Sequence, residues 1–174
     1  MGECLRRIIY YIYGLPFTAI VVITAISLTA YTSINIFAPK KLCRVINLIT
    51  LICITIAILF FTITNRTTSS DRATRLIPFA SFKNAGFGAY QSMWLNAFFF
   101  LPMGLSLPYL LPEKMKRKVL STILIATVFS MCIEVVQFIF KLGLCETDDV
   151  IMNTLGATIG TLSYVFAHTP KTKN

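Results

Sequence analysis

The chain has 174 residues, of which 56% are hydrophobic and only 13% are charged, and its mean hydropathy is +0.73. Soluble domains carry about 25% charged residues, so this composition excludes an ordinary soluble fold and predicts a chain that is partly solvated by lipid. The net charge of +9 comes from basic residues beside apolar runs, a placement typical of topology signals and headgroup anchors rather than of nucleic-acid binding.

Two apolar runs occupy the N-terminal third. The first, over residues 8–38, is too long for the apolar part of a signal peptide, so a retained helix is predicted. The second, over residues 45–65, carries no charge and is long enough to cross a bilayer. Residues 1–65 are therefore predicted to form two transmembrane helices.

Residues 66–90 form the longest polar segment and are predicted to be an interfacial or extracytoplasmic loop. Within this loop Leu76, Ile77, Pro78 and Phe79 make an apolar island. An island of this kind is typical of an anchor at the membrane surface.

Three further apolar runs cover residues 91–111, 119–140 and 150–167, and residues 169–174 form a tail. Pro102 lies inside the third run of the chain, where a kink or a short break is expected, since neighbouring helices can satisfy the freed carbonyl. The predicted fold is an all-α integral membrane protein, a bundle of about five transmembrane helices with one interfacial loop.

The basic residues give a predicted orientation. The totals on the two sides of a five-span bundle are almost equal, but two very short turns are densely basic. The positive-inside rule then places these turns and the C-terminus in the cytoplasm. The residues concerned are Lys40, Lys41, Arg44, Lys114, Lys116, Arg117 and Lys118.

Polar residues inside the last three runs lie at matched depths. At 1.5 Å per residue, Asn96, Glu134 and Asn153 lie roughly 6–11 Å from the same membrane surface. Gln137 is an i+3 neighbour of Glu134, and Asp149 precedes Asn153 by four residues. These five side chains, together with Asp148, are the predicted members of one polar pocket.

Glycines continue the polar stripe of the last run. Gly156 and Gly160 follow Asn153 at spacings of three and four, which predicts close approach of another helix. Gly104 on the third run is predicted to be a packing position as well.

The carboxylates allow two interpretations. Keeping Glu134 in hydrocarbon costs at least about 2.5–3.5 kcal/mol, which favours a proton carrier, an acid/base or a headgroup ligand, while interhelical hydrogen bonding is the structural alternative. Asp148 and Asp149 open the last run, where one aspartate suffices as an N-cap. The second aspartate is therefore a candidate for a role other than capping.

Taken in order, these segments resemble the VanZ-like family of membrane proteins over about residues 75–164. Each motif is modest, but their order and spacing are specific. The matching pieces are Leu76-Ile77-Pro78-Phe79, Asn96, Phe100-Leu101-Pro102-Met103-Gly104, Glu134-Val135-Val136-Gln137, Thr147-Asp148-Asp149-Val150-Ile151-Met152-Asn153-Thr154-Leu155-Gly156 and Gly160.

The resemblance implies a three-helix VanZ-like core over residues 91–168 and a role at the cell envelope, in a Gram-positive host. The family's namesake is associated with teicoplanin resistance, so the implied action is lower susceptibility to glycopeptide antibiotics through altered envelope composition or drug access. The expected partners are a membrane lipid, an envelope precursor or a glycopeptide-related ligand.

Other functions remain open. An intramembrane enzyme on lipid-linked envelope substrates would use Glu134 and Asp149 as acid/base groups or metal ligands, and a structural partner of another membrane protein would use neither. The sequence does not decide whether the protein is an enzyme. No Cys-x-x-C or Cys/His spacing is present, so no metal or other cofactor is predicted.

Overall fold

The computed structural model describes residues 17–64, 73–79 and 87–168. Within these ranges the chain forms five helices, and the all-α prediction is confirmed. The start of the predicted first span, residues 8–16, lies outside the described residues. The helices are α1 (Phe17–Phe37), α2 (Lys40–Leu59), α3 (Phe87–Leu110), α4 (Lys118–Phe140) and α5 (Thr147–His168).

Four of these described helices, α2 to α5, are long and apolar enough to cross a membrane. In α1 the shorter stretch Val21–Phe37 is apolar. Many large apolar side chains on the outer faces are exposed, Ile26 and Val128 among them, as expected where lipid rather than protein covers a helix. The chain is a multi-pass membrane protein.

The two ends of the bundle differ in structure. At one end, which we call the strand side, β1 (Ala73–Arg75) and β2 (Leu144–Glu146) pair in parallel. At the other end, the basic side, lie the turns between α1 and α2 and between α3 and α4. The strands were not predicted, because three residues are too few to show an alternating pattern.

Helices α3 and α5 run in the same direction and approach each other at backbone distance. A Cβ added to Gly156 would overlap the Ala97 carbonyl oxygen of α3, so no side chain fits there. The other two glycines meet the facing backbone in the same way. These pairs are Gly160 with Leu101 and Gly104 with Ala157.

Helix α3 continues without interruption through Pro102 and Pro108, so the chain has no break at Pro102. Proline lacks an N–H, and Pro108 therefore leaves the Gly104 carbonyl without its α-helical donor. Thr161 Oγ1 of α5 lies 3.3 Å from that oxygen. The Thr161 hydroxyl thus supplies a polar contact where a backbone hydrogen bond of α3 is missing.

Helices α1 and α2 form a hairpin joined by buried polar side chains. Asn47 is fully buried, and its Oδ1 accepts a hydrogen bond from Tyr31 Oη at 2.7 Å. Its Nδ2 donates to Asn35 Oδ1 and to the Cys43 carbonyl, each at 2.7 Å. This network satisfies both polar atoms of the Asn47 amide in the low-dielectric interior.

The glycine contacts predict the effect of adding bulk. We expect Gly156→Leu to destabilise the fold by about 1–3 kcal/mol, because the added atoms must displace the α3 backbone. Thermal unfolding of the detergent-purified protein, followed by size-exclusion chromatography, measures the change. Leu155→Phe, at an exposed position one residue away, is the matched control. Equal heat resistance of Gly156→Leu and the parent would contradict this packing.

Candidate functional site

A stripe of polar side chains runs along the buried face of α4. Ser130, Glu134 and Gln137 occur at spacings of four and three, so they share one helix face. All three are buried, with Glu134 only 5% exposed and Gln137 1% exposed. A charged group at this depth requires hydrogen-bond partners from its own protein.

The Glu134 carboxylate bonds to the connection between α4 and α5. Its Oε2 accepts a hydrogen bond from the backbone N–H of Glu146 at 3.0 Å. Burial raises the pKa of the neighbouring Cys145 thiol, and the Glu134 carboxylate raises it further through its charge and a hydrogen bond. Cys145 is therefore held as a thiol, which is poorly nucleophilic.

The Asp148 carboxylate, 2% exposed, holds the apolar island in place. Its Oδ1 accepts a hydrogen bond from the backbone N–H of Phe79, and Thr147 Oγ1 donates to the Leu76 carbonyl at 3.2 Å. We call residues 73–79 and 144–148 the clasp. The clasp joins the segment before α3 to the start of α5 on the strand side.

An ion pair and the strand pairing complete the clasp. Arg75 and Glu146 are partners in the β1–β2 register, and Arg75 Nη1 lies 2.9 Å from Glu146 Oε1. The arginine is 46% exposed, so this pair contributes little by itself, about 0–1 kcal/mol. The buried carboxylate–amide bonds of Glu134 and Asp148 are the stronger restraints.

The apolar side chains of the clasp face outward. Leu76, Ile77 and Phe79 are 66%, 73% and 54% exposed. Phe79 has a positive φ of 62°, a conformation that is uncommon for a bulky residue. The Asp148 contact at its backbone N–H helps to maintain this shape, which presents three large apolar groups beside the bundle.

Gln137 and Asn153 bond to helices other than their own. Gln137 Nε2 donates to the Thr62 carbonyl at 2.8 Å, within the π-helical turn Phe60–Thr64 that continues α2. Asn153 Nδ2 donates to Ser130 Oγ at 2.8 Å. Within the part of the chain that the structure describes, Gln137 Oε1 is buried without a hydrogen-bond partner.

The predicted pocket residues share the strand-side half of the bundle. Asn96 is half-buried on α3 next to Ala97, which contacts α5, and Asp149 is half-buried beside Asp148. The hydrogen bonds described for Glu134, Gln137 and Asn153 go to backbone groups or to a serine. A single pocket formed by all the predicted residues stays a prediction.

Sequence reasoning missed several partners. Ser130 precedes Glu134 by four residues, a spacing that was readable from the sequence. Thr62 and Glu146 act through backbone groups, which every residue carries, so no residue type marks them. The described ranges contain no group of three His, Cys, Asp or Glu side chains arranged to hold a metal ion.

Four of the five carboxylates in the described ranges lie on this side of the bundle, together with Arg75 and Lys141. Glu134, Asp148, Asp149 and the Gln137 carbonyl oxygen can only accept hydrogen bonds when the acids are ionised. The exposed apolar side chains of the clasp lie beside these acids, and Glu134 and Asp148 already accept hydrogen bonds from backbone N–H groups of the clasp.

Comparison with known proteins decides the family. A profile of the VanZ/LLP1 family matches residues 45–168. This chain belongs to the VanZ/LLP1 family. Protein VanZ of Enterococcus faecium is 31% identical over 117 residues, which cover 67% of this chain and 68% of that protein. No solved structure gives a significant match.

The VanZ/LLP1 match covers the residues that carried the resemblance. It includes α3, α4, α5, the clasp and most of α2. Helix α1 lies before the matched region, so the hairpin partner of α2 is outside the part of the chain that defines the family.

The position of Cys145 predicts its reactivity. The measurement is the rate of alkylation by iodoacetamide as a function of pH, in a variant whose other cysteines are alanine. An unperturbed cysteine has a pKa of about 8.5. Because the pKa of Cys145 is raised, we expect its alkylation to reach half the maximal rate at a higher pH. Glu134→Gln removes a nearby negative charge and shifts the profile to lower pH.

The matched control is Glu113→Gln, which makes the same charge change on the basic side and is expected to leave the profile in place. An identical pH profile with and without the Glu134 charge would contradict the contact between Glu134 and Cys145.

Proposed function

We propose that this VanZ/LLP1-family protein acts at the cell envelope and lowers susceptibility to glycopeptide antibiotics, by altering envelope composition or drug access. The proposed site is the strand side of the bundle, which would lie in the outer leaflet. The ligand would be an envelope precursor or a glycopeptide-related molecule that contacts the clasp and the neighbouring acids.

The observation that carries this proposal is the clasp itself. Two buried carboxylates, Glu134 and Asp148, accept hydrogen bonds from backbone N–H groups of the clasp, and three large apolar side chains of the clasp are exposed beside them. Both envelope precursors and glycopeptides combine peptide N–H and sugar O–H groups, and membrane-anchored precursors add an apolar portion. Such molecules match the chemistry of this surface.

The family membership supports the same role. The similarity to Protein VanZ of Enterococcus faecium links the chain to a named family member, and the association of that name with teicoplanin resistance is the source of the antibiotic hypothesis. Since no nucleophile–histidine arrangement occurs among the described residues, degradation of the drug is not part of the proposal.

The proposal requires a particular orientation. A cysteine introduced at Ile77, in the exposed clasp, should react with a membrane-impermeant maleimide added to intact cells. One introduced at Lys116, in a basic turn, should react only after the membrane is permeabilised. Both positions are tested in a background without native cysteines. The reverse pattern would place the clasp in the cytoplasm and overturn an outer-leaflet site.

A charge-removing variant tests the role of Glu134. Glu134→Gln retains an oxygen that can accept the Glu146 N–H bond, so we expect normal abundance. If ligand binding requires the negative charge, the minimum inhibitory concentration of teicoplanin should fall to that of cells without the protein. Glu113→Gln, an exposed acid on the basic side, should protect as the parent does.

A second variant separates function from structure. Glu134→Leu leaves the Glu146 N–H unsatisfied, and we expect a loss of about 1–3 kcal/mol of stability. Protection by Glu134→Gln equal to that of the parent, together with low abundance of Glu134→Leu, would show that the carboxylate is a structural group. Absence of any teicoplanin effect of the parent protein would overturn the antibiotic role.

A further inference from the structure

A groove opens between α1 and α5 in the basic-side half of the bundle, away from the clasp. It has a volume of about 330 Å³, at the lower end of the range of about 300–1,000 Å³ for small-ligand sites. Its walls come from one stripe on each helix. The lining residues are Leu28, Thr29, Thr32, Ser33, Ile159, Leu162, Ser163 and Phe166.

The hydroxyl groups in these walls are already bonded within their own helices. Thr32 Oγ1 donates to the Leu28 carbonyl at 2.7 Å, and Ser163 Oγ donates to the Gly160 carbonyl at 2.8 Å. Thr29 and Ser33 make the same kind of bond. The groove therefore offers no free hydroxyl proton and behaves as an apolar surface, which suits an aliphatic chain.

Positive charge lies beyond one end of the groove. Phe37, the last residue of α1, lies four positions after Ser33, about 6 Å along the axis, and α2 begins three positions later with Lys40 and Lys41.

Acidic side chains are rare on that side. Among the described residues of the basic side, Glu113 is the one carboxylate near seven lysines and arginines. A phosphodiester group placed there would face positive potential, and its acyl chain would reach down into the groove. Basic sites between transmembrane helices bind anionic lipid headgroups in this way.

We propose that the groove between α1 and α5 binds an anionic phospholipid, with an acyl chain against Thr32 and Ser163 and the phosphate at Lys40 and Lys41. This inference does not depend on the proposed envelope function, because it uses the opposite side of the bundle. It assigns a role to α1, which lies outside the region matched by the VanZ/LLP1 family.

Native mass spectrometry of the full chain tests the proposal. The protein is reconstituted with equimolar dioleoyl-phosphatidylglycerol and dioleoyl-phosphatidylcholine and then released under gentle activation. We expect retained lipid to be mainly phosphatidylglycerol. Thr32→Phe fills the groove and should abolish retention, while Ile34→Phe, on the other face of α1, should retain lipid as the parent does.

A charge variant tests the headgroup separately from the groove. Lys40 and Lys41 are exposed at the start of α2. Lys40→Gln and Lys41→Gln should each reduce the preference for phosphatidylglycerol about fivefold. Equal retention of the two lipids, or unchanged retention in Thr32→Phe, would overturn the proposal. In a second measurement on protein extracted directly from cell membranes, selective retention of an isoprenyl-linked precursor in place of phospholipid would overturn it as well.

Discussion

The backbone contact between α3 and α5 is the constraint on which the rest of the structure depends. In lipid, apolar side chains gain little by burial between helices, so association relies on close packing and polar contacts. Gly156 and Gly160 permit that packing because a Cβ at either position would overlap α3. The fixed α3–α5 pair then determines where the clasp and the α4 stripe meet.

In the part of the strand side that the structure describes, two carboxylates bond to backbone amides and one exposed ion pair joins the strands. Glu134 and Asp148 each accept from an N–H in the clasp, and charge-assisted bonds of this kind are roughly twice as strong as neutral ones. The geometry of Leu76 and Phe79 therefore depends on acids far away in sequence. Substitution of either acid would therefore shift the exposed apolar side chains, although none of those side chains is itself changed.

Much of the helical architecture could be predicted from the sequence, because apolar runs of about 20 residues have few other stable states in lipid. The depth argument placed Glu134 and Asn153 on the same side of the bundle. Their individual partners could not be predicted, since a hydrogen bond to the Glu146 N–H or the Thr62 carbonyl depends on tertiary geometry. The two short strands could not be predicted either, because three residues are too few to show an alternating pattern.

The α1–α2 hairpin has a consequence for biogenesis. Its Asn47 amide finds all its partners between Tyr31 and Asn47 itself, so this buried amide can be satisfied as soon as α1 and α2 have been inserted. Helix α4 differs, because Gln137 bonds to α2 and Glu134 to the chain beyond α4. The polar side chains of α4 therefore gain these hydrogen bonds only after the chain on both sides of α4 has been synthesised, so α4 reaches its final packing later than the hairpin.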